Sequence, residues 1–293
     1  MTRQAIDAAW LATHPLPELG NGTDKDERGR ALLVGGSAFV PGAILLTGEA
    51  TLRVGAGKVK LATIDRAAIA VGVRFPEAAV IGLPSDDEGE IAAGALAPLE
   101  RHLEQCDALV LGPGMTEPPQ TADLIEALLD RAGSGSPVLL DAGALTAMRE
   151  RGPVLRRQDQ PVVMTPHHGE LASLTGLDKA AVANDPAAAA LEATAAFGAI
   201  VALKSSETLI ADGKGTLLFY AGGAPGVGTA GSGDVLAGII GGLLARGVDP
   251  LVATAWGVWL HGESGKAAAA GYGPAGFLAR DLLPHLPRLM AAS

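Results

Sequence analysis

The chain has 293 residues, 48% of them hydrophobic, and a positive mean hydropathy, which is enough apolar material for a large core and too much for a disordered chain. A formal charge of −10 argues against nucleic acid or an anionic membrane as the main partner. The single cysteine, Cys106, excludes an internal disulfide, and no apolar run is long enough for a membrane span or a signal-peptide core, so the sequence reads as soluble and cytoplasmic.

Taken in chain order, residues 1–24 read as an N-terminal lead-in with a helical segment, running into the polar stretch NGTDKDERGR. Residues 31–34 predict a buried strand ending in Gly35-Gly36-Ser37, and 42–54 a helix. Strands follow at 58–64, 78–83 and 108–111, the last running into Gly112-Pro113-Gly114, with a helix at 91–103. Residues 119–132 predict a helix. A strand at 137–140 ends at Asp141, and one at 161–164 ends in Thr165-Pro166-His167. Helices near 169–175 and 186–197 precede a strand at 200–203 that ends at Lys204. Residues 208–211 and 216–220, separated by Asp212-Gly213-Lys214-Gly215, read as an antiparallel hairpin.

The stretch GVGTAGSGDVLAGIIGGLLARG, residues 226–247, joins a glycine-rich loop to an apolar helix that begins near Gly233. Val235, Leu236, Ile239, Ile240, Leu243 and Leu244 recur at helical spacing, and Gly247 fits a left-handed cap. The remainder is helical, broken near Pro250 and Pro274. Strands alternating with helices predict an α/β fold: a doubly wound, mainly parallel central sheet with helices on both faces and a late antiparallel hairpin, in one domain spanning 1–293.

In such sheets ligands bind beyond the carboxyl ends of the strands. The residues there are Gly35-Gly36-Ser37, Gly112-Pro113-Gly114, Asp141, His167 with His168, and Lys204, a set that suits a nucleotide. The helix start near Gly233 offers unpaired N–H groups to a phosphate. Asp234 reads locally as an acid complementing the helix dipole. Set beside those strand ends, it reads as a carboxylate kept ionised by the dipole and able to take a proton from a hydroxyl attacking a phosphoryl group.

Simpler motifs are set aside. GxGxxG occurs at 226–231 and 271–276, but Asp249, about 20 residues after the first, follows a helix and ends no second strand. Gly57-Lys58 lacks the upstream glycine of a P-loop. His167-His168 with Glu170 has no further ligand cluster and His261 reads as a core histidine. Ser232 is not in a GxSxG elbow, and Lys25 belongs to a solvated stretch from which it could reach a ligand.

In order and spacing, KDERGRALLVGGS, PGAILLTGEATLRVGAGKVKLAT, RFPEAAVIGL, DALVLGPGM, PVLLDAGAL, PVVMTPHHGE, VALKSSETLIA and GTAGSGDVLAG resemble the ribokinase-like superfamily. Within it they are similar to the ADP- or ATP-dependent (S)-NAD(P)H-hydrate dehydratases, over nearly the whole chain from Lys25 onward. The resemblance implies phosphorylation of the C6 hydroxyl of hydrated NADH or NADPH, then loss of phosphate to restore the reduced cofactor. It makes Asp234 the catalytic base, also touching substrate, and places Ala43, Gly114 and His167 at the hydrated nicotinamide. Lys204, Ser205, Ser206, Glu207, Thr208 and Gly233 would bind the adenine nucleotide. ADP (or ATP) is the implied phosphoryl donor, with Mg2+ accompanying it and no metal held by the protein alone. A homo-oligomer, in the form of a tetramer, is also implied. So is functional partnership with a separate epimerase, since only a short segment precedes Lys25.

The chain departs from the family pattern at Ser205-Ser206-Glu207, where Lys-Gly is common, at Gly143, where a second acid is usual, and at His168, where proline is frequent. Two other readings share the same residues: a ribokinase-like kinase for a vitamin-type alcohol, and a nucleotide sensor that has lost catalysis.

Overall fold

Short runs of Leu, Val, Ile and Ala with nothing polar between them set the architecture, because such runs must be covered on both faces. The computed structural model describes residues 3–18, 24–116, 119–133 and 135–291, and part of the N-terminal lead-in lies outside them. Its strands are β1 (Arg3–Ala5), β2 (Arg30–Val34), β3 (Lys58–Ile64), β4 (Ala79–Leu83), β5 (Ala108–Leu111), β6 (Val138–Leu140), β7 (Val162–Met164), β8 (Ile200–Leu203), β9 (Thr208–Ala211) and β10 (Leu217–Tyr220). They form one sheet in the order β1-β10-β9-β8-β7-β6-β5-β2-β3-β4. Only β9 runs against its neighbours, so the expected doubly wound parallel sheet with a late antiparallel hairpin is the observed one.

Strand order reverses between β2 and β5, which makes that point the crevice of the sheet. The two glycine turns leaving these strands meet there, the Gly36 N–H donating to the Pro113 carbonyl at 2.7 Å. Gly112 has φ +114°, and a Cβ on it would lie 1.8 Å from the Asp141 carbonyl oxygen, so only glycine lets the β5 and β6 turns pass.

Helix Ser232–Ala245 brings the sheet's central layer together. It packs against helices Ala43–Arg53 and Pro250–Tyr272 and against β5. Gly238 and Gly242, one turn apart, let the Ala43–Arg53 helix approach: Cβ atoms there would come within 2.2 Å of the Thr47 carbonyl and 2.5 Å of a Val54 methyl. Val110 of β5 faces this helix at Gly241, and its neighbours Leu109 and Leu111, pointing the other way, are fully buried too. Both faces of the sheet are therefore covered. Among the described residues no helix is long and apolar enough to cross a membrane.

The predicted elements are present within a few residues, and Gly247 takes the left-handed conformation after the helix at φ +76°. Additional elements are β1 and helices Asp65–Arg74, Ala142–Ala147, Gly152–Arg156 and Lys179–Asn184. Asp65–Arg74 buries Ala67 and Val71 but leaves Ile69 and Val73 exposed, which blurs the apolar period. Residues 3–14 are built into the fold. β1 lies beside β10, Trp10 and Leu11 are buried, and the Trp256 indole donates to the His14 carbonyl at 2.7 Å. Lys25 stands at the amino ends of β2 and β3, its carbonyl against Gly57, away from the strand ends expected to hold a ligand.

The close helix contact is testable. Gly238→Ala forces a methyl onto the Thr47 carbonyl and should lower stability by ~1–3 kcal/mol in urea denaturation. Gly271→Ala, in the Pro250–Tyr272 helix with open space around it, should be neutral or stabilising by up to ~1 kcal/mol.

Candidate active site

Three charged side chains meet where β6, β8 and the Ser232–Ala245 helix converge. Asp141 follows β6, is 2% exposed, and accepts at Oδ1 from the Lys204 ammonium (2.8 Å) and the Thr165 hydroxyl (2.7 Å). It is followed by Ala142 at φ +46°, a left-handed non-glycine residue, so backbone strain sits at the junction that aims this carboxylate. Lys204 follows β8. Its amide donates to the Pro166 carbonyl at 2.7 Å, and its ammonium also lies 3.8 Å from Glu170. Burial pushes Lys204 down, but the charges of Asp141 and Glu170, the Asp141 hydrogen bond and the Asp234 charge together carry it above the usual lysine range.

Asp234 is the third residue of its helix. The N-cap is Gly231 at φ +86°, which has no side chain to satisfy the first N–H groups. A Cβ on Gly233 would lie 3.6 Å from the Lys204 ammonium and 3.8 Å from Asp141 Oδ2, so the helix start opens onto this pair. The sequence predicts that the dipole keeps Asp234 ionised. Instead burial, then the nearby Asp141 charge, push its pKa up to about 7, with Lys204 pulling the other way. Desolvation outweighs the dipole at this half-buried carboxyl.

A cleft of about 920 Å³ opens beside this cluster. His167, Lys204, Ser205, Ser206, Thr208 and Gly233 line it, so those predicted residues share one surface. Glu207 does not line it; its carboxylate turns to Arg3 at 2.5 Å. His167 caps helix His168–Thr175, its Nδ1 accepting from the amides of Gly169 and Glu170, which leaves the proton on Nε2. Among the described residues no group of three or more His, Cys, Asp or Glu could hold a metal. Asp249 caps helix Pro250–Tyr272, accepting from the amides of Leu251 and Val252, a structural task that agrees with setting aside the dinucleotide fingerprint.

Ala43 and Gly114 form a second surface. A Cβ on Gly114 would come within 2.7 Å of the Ala43 methyl and of the Val40 carbonyl. Three residues along the same helix, Leu46 reaches the Gly231 turn, which joins this small-residue wall to the Asp234 loop. At Gly143 the chain has no room for an acid, since a Cβ would lie 2.6 Å from the carbonyls of Met115 and Thr116.

Sequence reasoning left several cleft groups out of the site. Ser232 and His261 both line the cleft, joined by an Oγ–Nε2 contact of 2.8 Å; burial holds His261 down at about 4, so the imidazole is neutral. Tyr220 and Lys266 line it too, each bonded to Glu263. Asp141 carried a signal, the end of an apolar strand, whereas the pairing of positions 220, 263 and 266 carried none.

If Asp141 sets the proton affinity of Asp234, Asp141→Asn should move the Asp234 carboxyl midpoint, followed by carbon NMR, acidward from about 7. An unmoved midpoint would assign the whole shift to burial.

With this geometry in place, comparison with known proteins is informative. Residues 31–288 match the family model described as NAD(P)H-hydrate dehydratase. The ADP-dependent (S)-NAD(P)H-hydrate dehydratase of Xanthomonas campestris is 46% identical over 98% of this chain and 96% of its own length. The bifunctional NAD(P)H-hydrate repair enzyme of Escherichia coli is 33% identical over 91% of this chain, which spans only 48% of that enzyme. Among solved structures, the ADP/ATP-dependent NAD(P)H-hydrate dehydratase of Bacillus subtilis, co-crystallised with ATP and Mg2+, superposes with a TM-score of 0.82 at 27% identity, covering 100% of this chain and 99% of that one. By sequence, fold and the span of the match, this chain belongs to the NAD(P)H-hydrate dehydratase family.

Proposed function

We propose that the chain repairs the S epimer of hydrated NADH or NADPH at the Asp234 cluster, with ADP or ATP in the adjoining cleft. The observation that carries this reading is a half-buried carboxyl in the first turn of an uncapped helix, near a lysine that lines a nucleotide-sized cleft. Asp234 takes the proton of the C6 hydroxyl as its oxygen attacks the terminal phosphoryl group. A pKa near 7 suits a base that must be free at neutral pH and still hold a proton. Lys204 and the first helix N–H groups meet the negative charge spread over the transferring oxygens. The bridging bond of the donor breaks, so ADP leaves as AMP.

Phosphorylation makes a poor leaving group a good one. The ring nitrogen lone pair then expels phosphate from C6, and loss of the C5 proton restores the reduced nicotinamide. Water is thereby removed at the cost of one phosphoanhydride bond. Ala43 and Gly114 would form the close-fitting wall for the ring, and the His167 Nε2–H would donate to the substrate. Lys204, Ser205, Ser206, Thr208 and Gly233 would surround the donor phosphates and ribose.

The chemistry of the donor set fits a Mg2+ arriving with the nucleotide. Asp141, whose Oδ1 is engaged by Lys204 and Thr165, is the carboxylate that would hold such an ion, which when bound would neutralise phosphate charge. In this reading residues 1–293 work as one domain in the cytoplasm, as a tetramer, together with an epimerase activity that supplies the S epimer. One continuous sheet from β1 to β10 supports the single domain, and the bifunctional architecture of relatives supports the link to an epimerase.

Incubation with hydrated NADH and each nucleotide should yield near-ultraviolet absorbance of NADH and inorganic phosphate in equal amounts. A stable phosphate ester would make the protein a kinase, and nucleotide binding without turnover a sensor. Asp234→Asn should still bind nucleotide and lose turnover by ~10²–10⁴-fold; near-normal activity would remove Asp234 from the role of base.

A further inference from the structure

Glu207 belongs to the segment assigned to the nucleotide, yet it is turned out of the cleft while Ser205, Ser206 and Thr208 line it. The backbone of that turn is held by its own hydroxyls. The Ser205 hydroxyl accepts from the Glu207 amide and donates to its carbonyl, and the Thr208 hydroxyl donates to the Ser205 carbonyl at 3.3 Å. The partner that meets the carboxylate comes from the far end of the chain. Arg3, held on β1 against β10, pairs with Glu207 at 2.5 Å and lays its guanidinium over the Phe219 ring at 4.3 Å.

Charge in the cleft explains why this pair matters. The lining lysines are Lys204 and Lys266, and each already faces carboxylates: Asp141 and Glu170 at Lys204, Glu263 at Lys266. The cleft thus has no surplus of positive charge with which to offset a bare Glu207 beside a polyanionic donor. Glu207 is three residues from Lys204, so their Cα atoms are at most about 11 Å apart. That is near the Debye length of about 8 Å at physiological salt and well inside the length of about 30 Å at 0.01 M. An ion pair with both side chains about 40% exposed adds little to stability. Its consequence is for the ligand.

We propose that Arg3 is a positioning residue for the nucleotide: β1 delivers a cation that neutralises Glu207 and keeps it out of the cleft, which makes the N-terminal strand part of the donor site. This rests on the reading that the cleft takes ADP or ATP. It also explains how the chain carries an acid in that segment without repelling its donor.

The test compares wild type, Arg3→Ala, Arg3→Lys, Glu207→Gln and the Arg3→Ala/Glu207→Gln double variant. Each is measured for steady-state turnover of hydrated NADH with ADP and, by calorimetry, for ADP binding. At about 0.01 M ionic strength Arg3→Ala should raise the KM and Kd for ADP roughly two- to fivefold, with kcat and the KM for hydrated NADH unchanged. The increase should fade at about 1 M salt, where the Debye length is about 3 Å. Arg3→Lys should stay near wild type, and the double variant should recover wild-type ADP affinity. Wild-type ADP affinity in Arg3→Ala at low salt would overturn the proposal, as would a double variant as weak as Arg3→Ala, since the loss would then come from strand packing. Wild type that binds ADP without turnover would refute the catalytic reading alone, and the binding series would still decide the role of Arg3.

Discussion

The contact on which the site depends is the ion pair between the buried Asp141 and the largely buried Lys204. A buried pair of this kind is expensive to desolvate, and removing one partner typically costs ~3–5 kcal/mol. Its value lies in what it does to the third group. Asp141 raises the proton affinity of Asp234 while Lys204 lowers it, and burial supplies the largest share of the shift. The cluster therefore combines a cation fixed by Asp141 with a carboxyl poised near neutrality in the first turn of a helix. Neither property follows from the helix dipole alone.

The fold exists to hold those groups against one another. Asp141 and Lys204 are 63 residues apart and come together because β6, β7 and β8 are consecutive, parallel and in register. Gly238 and Gly242 let the helix that carries Asp234 pack closely on the Ala43–Arg53 helix, and Gly241 lets it pack on Val110 of the sheet. That helix in turn begins at Ala43 beside Gly114. One tight helix pair consequently ties Asp234, the helix's first amides and the small-residue wall together, and the left-handed Ala142 shows that the backbone accepts local strain to aim Asp141.

Much of this arrangement was legible in the sequence because parallel sheets place ligands at the ends of apolar runs. Asp141, His167 and Lys204 each follow such a run, and the Gly226–Gly247 pattern marks both the loop and the helix behind it. What escaped depends on contacts between distant positions. The three-residue β1 has no period of its own and is a strand only because β10 lies beside it. The outward turn of Glu207 depends on a partner 204 residues away. The proton affinity of Asp234 is not legible in the sequence because burial cannot be seen in a first-turn acid, whereas the dipole can. Helix Asp65–Arg74 was hidden by its exposed Ile69 and Val73.

In the proposed reaction Asp234 is the base, and burial and Asp141 raise its proton affinity. The most direct measurement is kcat/KM for hydrated NADH as a function of pH with saturating nucleotide. Because the base must be ionised to act, kcat/KM should fall by tenfold per pH unit on the acid side of an inflection near 7. A profile that stays level through that region, with an inflection only in the ordinary carboxylate range, would contradict it.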